Sequence, residues 1–474
     1  MSDNTSGTQI TVPPVADDLG RVFADAGFEL HLVGGSVRDA VLRRPTNDLD
    51  FTTDARPEDT ERLLAGACST VWTTGAEFGT IGGMFRGRQV EVTTFRADAY
   101  DGVTRNPKVR FGDSLTDDLE RRDFTVNAMA VSVPGHVFAD PFGGIADLAR
   151  RTVRTPAAPE SSFADDPLRM LRAARFAAQL DFAIEADTLR AMTGMAAELE
   201  RITAERVRDE FTKLMLAPDP VVGIRVLVET GLAERFVPEV PAMRMEIDEH
   251  AQHKDVYEHS LQVLRNAIGL EDSEPDLVLR LAALLHDIGK PDTKGVNESG
   301  GVTFHHHDVV GARMARALMR RLRFPKAEVQ SVSQLISLHL RFYGYGDAGW
   351  TDSAVRRYVT DAGGELERLH KLVRSDCTTR NRRKAERLRR DYDAFEERIA
   401  RIRAEEDLRA VRPDLDGNAI MELLGLPPGP EIGRAWKFLK DLRLERGPLP
   451  REQAEAELLA WAEREGLGPR PDAG

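Results

Sequence analysis

The spacing of apolar positions changes character along the chain. Between about Glu29 and Val137, short alternating runs (ELHLVGG, DLDFTT, GTIGGMF and QVEVTTF) put every second apolar residue on one side, as half-buried strands require. Helix-like runs, SVRDAVLR and PEDTERLLAGA, lie between them. This pattern predicts an α/β unit on a small mixed sheet. From Asp165 onward apolar residues recur at helical spacing with almost no strand candidates, as in LRMLRAARFAAQL, ERVRDEFTKLML and GIRVLVETGL. Pro238 and Pro241 punctuate a second boundary, and the charge-rich, helical C-terminal part is broken by GLPPGPEIG at Gly425–Gly433. The expected order is a disordered leader over 1–15, an α/β head over 16–155 and a helical neck over 156–240. An all-α domain over 241–385 and a helical tail over 386–474 follow.

Composition narrows the class. A chain of 474 residues is too long for one core, since domains usually span roughly 100–200 residues. With 41% hydrophobic and 30% charged residues it reads as a soluble globular protein. No apolar run is long enough to span a bilayer, and the polar start MSDNTSGTQITVPPV lacks a signal-peptide core, so a cytoplasmic protein is expected. Cys68 and Cys377 are far apart and offer neither a disulfide framework nor a paired zinc motif. The formal charge of −13 excludes a surface coated in basic residues, but it leaves room for local basic segments at Arg313–Lys326 and Arg380–Arg390. The oligomeric state is not encoded in any of these features.

The chemistry concentrates first in Val33–Phe51, VGGSVRDAVLRRPTNDLDF. Asp48 and Asp50 stand at i and i+2 on a β-like run and point to one face. Two carboxylates held together repel unless a cation lies between them, and hard oxygen ligands suit Mg²⁺. Upstream, the Gly34-Gly35 turn opens a helix whose exposed N–H groups can cradle phosphate, with Arg38 one turn on to neutralise it. A triphosphate cradle facing a metal-binding carboxylate pair is the equipment of two-metal phosphoryl transfer. Glu91, in QVEVTTF, either adds a third carboxylate to these metals or faces solvent.

Further segments follow in an order that resembles the class II branch of the nucleotidyltransferase superfamily, the branch of tRNA CCA-adding enzymes and bacterial poly(A) polymerases. They are RRDFTVNAMA (Arg121–Ala130), DPFGGIADL (Asp140–Leu148), DDPLRMLRAARFAA (Asp165–Ala178) and ERVRDEFTKLML (Glu205–Leu216). The resemblance implies that Asp123 and Asn127, four apart on one helix face, read the ribose, with Arg122 near the triphosphate; Asp123 also suits a helix N-cap. It implies that Asp166 and Arg169, three apart on one helix face, read the base. A carboxylate accepts where a guanidinium donates, which matches the edges of cytosine and adenine and mismatches guanine and uracil. Arg172 and Arg175 continue the stripe as further nucleotide-binding residues; Asp165 stands where the family usually has Glu. The Gly- and Asp-rich stretch Arg96–Phe111 reads as a mobile loop, which in the family goes with switching from C to A.

Nine of the eleven histidines fall between His250 and His370. DVYEHSLQVL, LAALLHDIGKP, TFHHHDVVGA, LISLHL and KLVRSDC resemble an HD-type metal-dependent phosphohydrolase domain. The resemblance implies one metal on His259, His286, Asp287 and Asp376, and a second on His307 and His339 with Asp287 bridging. Such ligands suit Mn²⁺, Fe²⁺, Ni²⁺ or Zn²⁺ and tolerate Mg²⁺. His305 and His306 are expected to be exposed, and His250, His253 and His370 to serve surface or packing roles.

Together these features imply a CCA tRNA nucleotidyltransferase that takes tRNA, CTP and ATP, uses Mg²⁺ and releases pyrophosphate. A poly(A) polymerase or an A-adding enzyme could use the same head, and a phosphohydrolase led by the histidine site is the alternative of a different class.

Overall fold

Alternation in the N-terminal part produces a seven-stranded sheet ordered β3-β4-β5-β2-β1-β6-β7. The computed structural model describes residues 10–45, 48–96, 111–112, 114–245, 255–298, 300–344, 350–378, 382–405 and 413–467. Most of the loop expected over Arg96–Phe111, and both His250 and His253, lie outside the described residues. The strands are β1 (Leu30–Val33), β2 (Leu49–Thr53), β3 (Thr70–Gly75), β4 (Thr80–Phe85), β5 (Arg88–Thr94), β6 (Ala130–Ser132) and β7 (Phe138–Ala139). Only β2 and β5 pair in parallel; the other neighbours are antiparallel, so the sheet is mixed as expected. Leu32, Phe51 and Val92 are buried on it, each such side chain contributing roughly 1.5–3 kcal/mol.

Helix α1 (Pro14–Asp25) opens with proline in its first turn and buries Leu19 and Phe23, so this helix begins inside the stretch 1–15 read as a leader. Next come α2 (Gly35–Val41), α3 (Pro57–Ala67), α4 (Leu115–Glu120), α5 (Gly144–Arg150) and α6 (Pro159–Asp165). Then α7 (Leu168–Leu180), buried on most of its circumference, packs on α9 (Ala204–Met215) and α10 (Pro220–Glu229), with α8 (Ala186–Gly194) beside α6. The neck is not purely helical: Thr152–Val153 and Ala183–Ile184 form a two-stranded ladder. After α11 (Ala233–Phe236) the chain divides into two compact units, Met1–Pro238 and Glu239–Gly474.

The second unit holds α12 (Val256–Ile268), α13 (Leu277–Leu285), α14 (His307–Arg321) and α15 (Lys326–Leu338), followed by helices Asp352–Ala362 and Leu366–Asp376. A short hairpin, Lys294–Val296 with Val302–Phe304, precedes α14. Helix Arg382–Glu405 runs across the boundary expected at 385/386, because Tyr392 and Phe395 pack against Tyr358 and Phe342. Helices Gly417–Leu424, Pro430–Arg446 and Arg451–Arg464 close on a core of their own around Ile420, Leu439 and Leu458.

Candidate functional site

Gly34 ends β1 with φ 67° and ψ −138°, a conformation open in practice only to glycine. A Cβ there would lie 3.1 Å from Arg122 Nη1 and 3.7 Å from Asp50 Oδ2, so the turn sits directly against the carboxylate site. Ser36 fixes the next link. Its Oγ donates to the Asp48 carbonyl (3.1 Å) and accepts from the Asp50 N–H (3.2 Å), tying the first turn of α2 to the segment that carries both acids. The parallel β2–β5 register sets Asp50 beside Glu91. Leu49, between the two aspartates, is buried on the opposite face, and Asp48 is exposed just before the strand. Burial lifts the Asp50 carboxyl above its usual value; Arg122 opposes this, Glu91 and Asp48 reinforce it, and Arg38 opposes it more weakly. Carboxylates are hard oxygen donors of the kind that suit Mg²⁺, but the ligand atoms of these three do not all converge within 4.8 Å of one another in this structure.

The arginines around this cluster are held from below. Arg38 makes a bidentate pair with Asp39 (2.9 and 2.9 Å) and donates through Nη1 to Asn127 Oδ1 (2.7 Å). Arg122 Nη2 donates to Asp118 Oδ2 (3.3 Å), which also accepts from Thr52. Asn127 Nδ2 donates to Asp123 Oδ1 (2.9 Å), so the expected pair does meet. It does not meet on an α-helix: Asp123 is non-helical and Thr125–Asn127 is a single 3₁₀ turn. That turn has no side-chain N-cap; Asp123 Oδ1 instead accepts from the adjacent Phe124 N–H (2.8 Å).

Asp166 differs from expectation. It caps the end of α6 in extended conformation (φ −142°, ψ 97°) and does not share α7 with Arg169. The residue after it is Pro167, which disfavours helical geometry at the preceding position. Its carboxylate accepts from the Leu168 N–H (3.1 Å) and from Arg206 Nη2 of α9 (2.9 Å). Arg169 donates to Ser162 Oγ (2.8 Å) and to the Arg121 carbonyl (2.5 Å). Arg172 grips Asp123 Oδ2 with Nε and Nη2 (2.9 and 2.6 Å). Arg175 donates to Glu210 Oε2 (2.7 Å), and Arg172 reaches the other oxygen of Glu210 (3.5 Å). The guanidiniums of Arg175, Arg38 and Arg172 lie 4.2, 5.3 and 5.7 Å from the Phe176 ring centroid. Burial opposes the charge on Asp123, but Arg172 and Asn127 outweigh it and hold the carboxyl well below the usual range.

In the second unit, α13 ends at His286 because the following loop must turn sharply. Gly289 permits the turn: a Cβ there would meet the His307 carbonyl at 2.3 Å and the Gly311 nitrogen at 2.6 Å. His286, His307 and His339 lie with Nδ1 2.9, 2.8 and 2.6 Å from the carbonyls of Ala283, Phe304 and Ile336. A carbonyl only accepts, so these bonds place the proton on Nδ1 and turn each Nε2 inward. All three Nε2 atoms are buried without a hydrogen-bond partner. Asp287 lies at their centre: Oδ2 is 3.1 Å from His286 and Oδ1 is 3.3 and 4.0 Å from His307 and His339. His259 Nε2 stands 2.9 Å from Asp376 Oδ1 and 3.5 Å from Asp287 Oδ2. The six side chains fall into two groups able to hold a divalent ion, His259–His286–Asp376 and Asp287–His307–His339. Burial would lower His286, yet Asp287 and Asp376 raise it to about 10, while burial and His286 lower His339 to about 4. A site that gathers two carboxylates around inward-facing imidazole Nε2 atoms with no hydrogen-bond partner fits a metal. His305 and His306 are exposed, and His370 packs among Tyr358, Tyr392 and Phe395 instead of joining the cluster.

Three families match in succession. The poly A polymerase head domain covers residues 30–154, a probable RNA and SrmB-binding site of polymerase A covers 181–243, and the HD domain covers 256–374. An A-adding tRNA nucleotidyltransferase of Deinococcus radiodurans is 34% identical over 439 residues, 91% of this chain and 95% of that protein. The chain belongs to this nucleotidyltransferase family. A CCA-adding enzyme of Streptococcus thermophilus is 33% identical over 88% of this chain and 89% of its own length. The solved CCA-adding enzyme of Bacillus stearothermophilus in complex with CTP superposes with a TM-score of 0.67 at 25% identity, covering 96% of this chain and 99% of that one. This protein is therefore a nucleotidyltransferase with an HD domain.

In this nucleotidyltransferase, several structuring residues are not singled out by the sequence: Ser36 and Glu210 lie inside the quoted segments and Asp118 outside them. Ser36, Asp118 and Glu210 act through contacts 14, 66 and 35 residues away. Arg206 lies inside ERVRDEFTKLML, where only its position on the helix face opposite Asp166 could have marked it.

Proposed function

We propose that the protein completes tRNA 3′ ends, adding C, C and A from CTP and ATP without a nucleic-acid template and releasing pyrophosphate. The observation that carries this reading is the placement of Asp50 beside Glu91, with Asp48 adjacent and the Gly34 turn and Arg122 closing the other side. Asp48 and Asp50 would hold Mg²⁺, with Glu91 as third carboxylate. When bound, the metal supplies activation of the tRNA 3′-hydroxyl and charge stabilisation at the α-phosphate and the leaving pyrophosphate. Gly34, Gly35, Arg38 and Arg122 would bind the triphosphate, and Asp123 and Asn127 the ribose. Arg172 keeps Asp123 ionised and fixed, so it accepts hydrogen bonds only. Asp166 and Arg169 would read the base edge from the start of α7, each held in place by its own partners, with Arg172 and Arg175 behind them.

The HD cluster would hold a divalent pair, Mn²⁺, Fe²⁺, Ni²⁺, Zn²⁺ or Mg²⁺, and have phosphohydrolase capacity. His259, His286, Asp287 and Asp376 would serve one ion, and His307 and His339 the other with Asp287 between them. The acceptor stem would be held by shape and backbone, with the basic segments Arg313–Lys326 and Arg380–Arg390 as its salt-sensitive contacts. A cytoplasmic location would suit substrates of this kind. Among the described residues no helix is long and apolar enough to cross a membrane.

Addition of A alone is the second reading, favoured by the Deinococcus radiodurans relative. Transcripts ending before CCA, after C and after CC, given CTP and ATP singly and together, separate the two by 3′-end sequencing. Extension of all three to CCA supports the main reading, and extension of only the CC-ended transcript supports the second.

A further inference from the structure

Polar groups that neither site uses converge on one cavity in the second unit. It encloses about 1300 Å³ among helices Asp352–Ala362, Leu366–Asp376, Arg382–Glu405 and Pro430–Arg446. Ordinary small-molecule sites occupy roughly 300–1,000 Å³, so this space exceeds what a lone inorganic anion needs. Three buried atoms on side chains that line it have no hydrogen-bond partner among the described residues: His370 Nε2, Thr360 Oγ1 and Arg403 Nε. Buried polar atoms are nearly always satisfied, so three orphans on three of the helices around one cavity stand out, although none of these atoms is itself exposed to it.

Each orphan has a defined chemistry. His370 Nδ1 lies 2.7 Å from Glu396 Oε1, which Arg374 Nε also engages at 3.2 Å. The ring therefore donates from Nδ1 and leaves Nε2 buried without a partner. Arg403 Nε can only donate, and the Thr360 hydroxyl can do either. Charge on the lining is divided unequally. Lys371 is neutralised by Asp272 and Glu367, and Arg374 by Asp393 and Glu396. Lys440 and Arg403 have no carboxylate partner among the described residues, which leaves the cavity able to bind an anion. The same lining carries a flat apolar surface: Trp436 is 38% exposed, and Lys440 Nζ lies 5.5 Å from its ring centroid. A bare phosphate would leave the indole uncovered, and an apolar ligand would leave two cations unmatched. An aromatic base joined to a phosphate satisfies both sets, since bases stack on tryptophan irrespective of sequence.

We propose that this cavity is a nucleotide site separate from the head, with a base stacked on Trp436 and phosphate at Lys440 and Arg403. The nucleotide is either free or part of an RNA strand, and competition tells these sources apart. The full-length protein is irradiated with 8-azido-AMP and the labelled peptides are mapped, with AMP, the trinucleotide ApApA or inorganic phosphate as competitor. Label is expected on a peptide from Pro430–Arg446, falling at least tenfold in Trp436→Ala and Lys440→Glu and returning in Trp436→Phe. Displacement by AMP assigns a free nucleotide, and displacement by ApApA alone assigns a strand-borne one. Label confined to the head, label unchanged in a folded Trp436→Ala variant, or displacement by phosphate as effective as by AMP would each overturn the proposal.

Discussion

Asp50 on β2 lies in direct register with Glu91 on the parallel strand β5. Neighbouring residues in parallel register share a face, so the two carboxylates point the same way and repel unless a cation joins them. If Glu91 is a metal ligand, Glu91→Gln lowers nucleotide addition by more than the roughly 10–100-fold typical of outer-shell changes while the fold persists. Steady-state extension of tRNA against Mg²⁺ concentration measures this. Activity within a factor of two of wild type would return Glu91 to the surface reading.

The elevated Asp50 carboxyl predicts a stability effect of definite sign. Its folded value lies above the ordinary 3.8, burial being the main cause. The stability it contributes is therefore present below about 3.8 and lost as pH rises through the raised folded value. At pH 7 without metal, Asp50→Asn should melt at a higher temperature than wild type. The gap should close below pH 3.8 and also on saturating the wild type with Mg²⁺. A lower melting temperature for the variant at pH 7 would contradict the electrostatic account.

Glu210 is buried on α9 and anchors both Arg172 and Arg175. Removing one member of a buried ion pair typically costs about 3–5 kcal/mol, because the remaining charge is left uncompensated. Urea unfolding of Glu210→Ala should show a loss of that order. Glu210→Gln, which keeps an acceptor, should lose less and should raise KM for the nucleotide more than it lowers kcat. Equal losses in the two variants would mean that the lost charge carries the whole effect and the retained acceptor adds nothing.

For the histidine cluster, metal content is the direct readout. Protein stripped with chelator and reloaded with Mn²⁺ should retain bound metal through dialysis, and His286→Ala and Asp287→Ala should lose it. His305→Ala and His306→Ala, both at exposed positions, should not. Loading should also raise the melting temperature of wild type, a ligand at about 100 times its Kd contributing about 2.7 kcal/mol. Equal metal content in wild type and Asp287→Ala would remove this site from the account.

Local spacing made part of this architecture legible. The Gly34-Gly35 turn, the i, i+2 aspartates and the alternation of QVEVTTF are short-range patterns; the turn, Asp50 and Glu91 lie on the elements predicted, while Asp48 stands one residue before its strand. Asp123 and Asn127 meet as their separation suggests, but through an extended residue and a 3₁₀ turn, since i, i+4 spacing does not itself specify a helix. Asp166 was misplaced although the signal was present: proline at 167 opposes a helix through the residue before it. Ser36, Asp118 and Glu210 were not legible, because their partners are brought near only by sheet register and helix packing.

The central claim is that the head performs the chemistry. Single-turnover extension by ATP of a tRNA transcript ending in CC, followed in wild type, Asp50→Asn and His286→Ala, tests it most directly. The account predicts extension abolished in Asp50→Asn and retained in His286→Ala. Extension that survives in Asp50→Asn and disappears in a folded His286→Ala protein would contradict it.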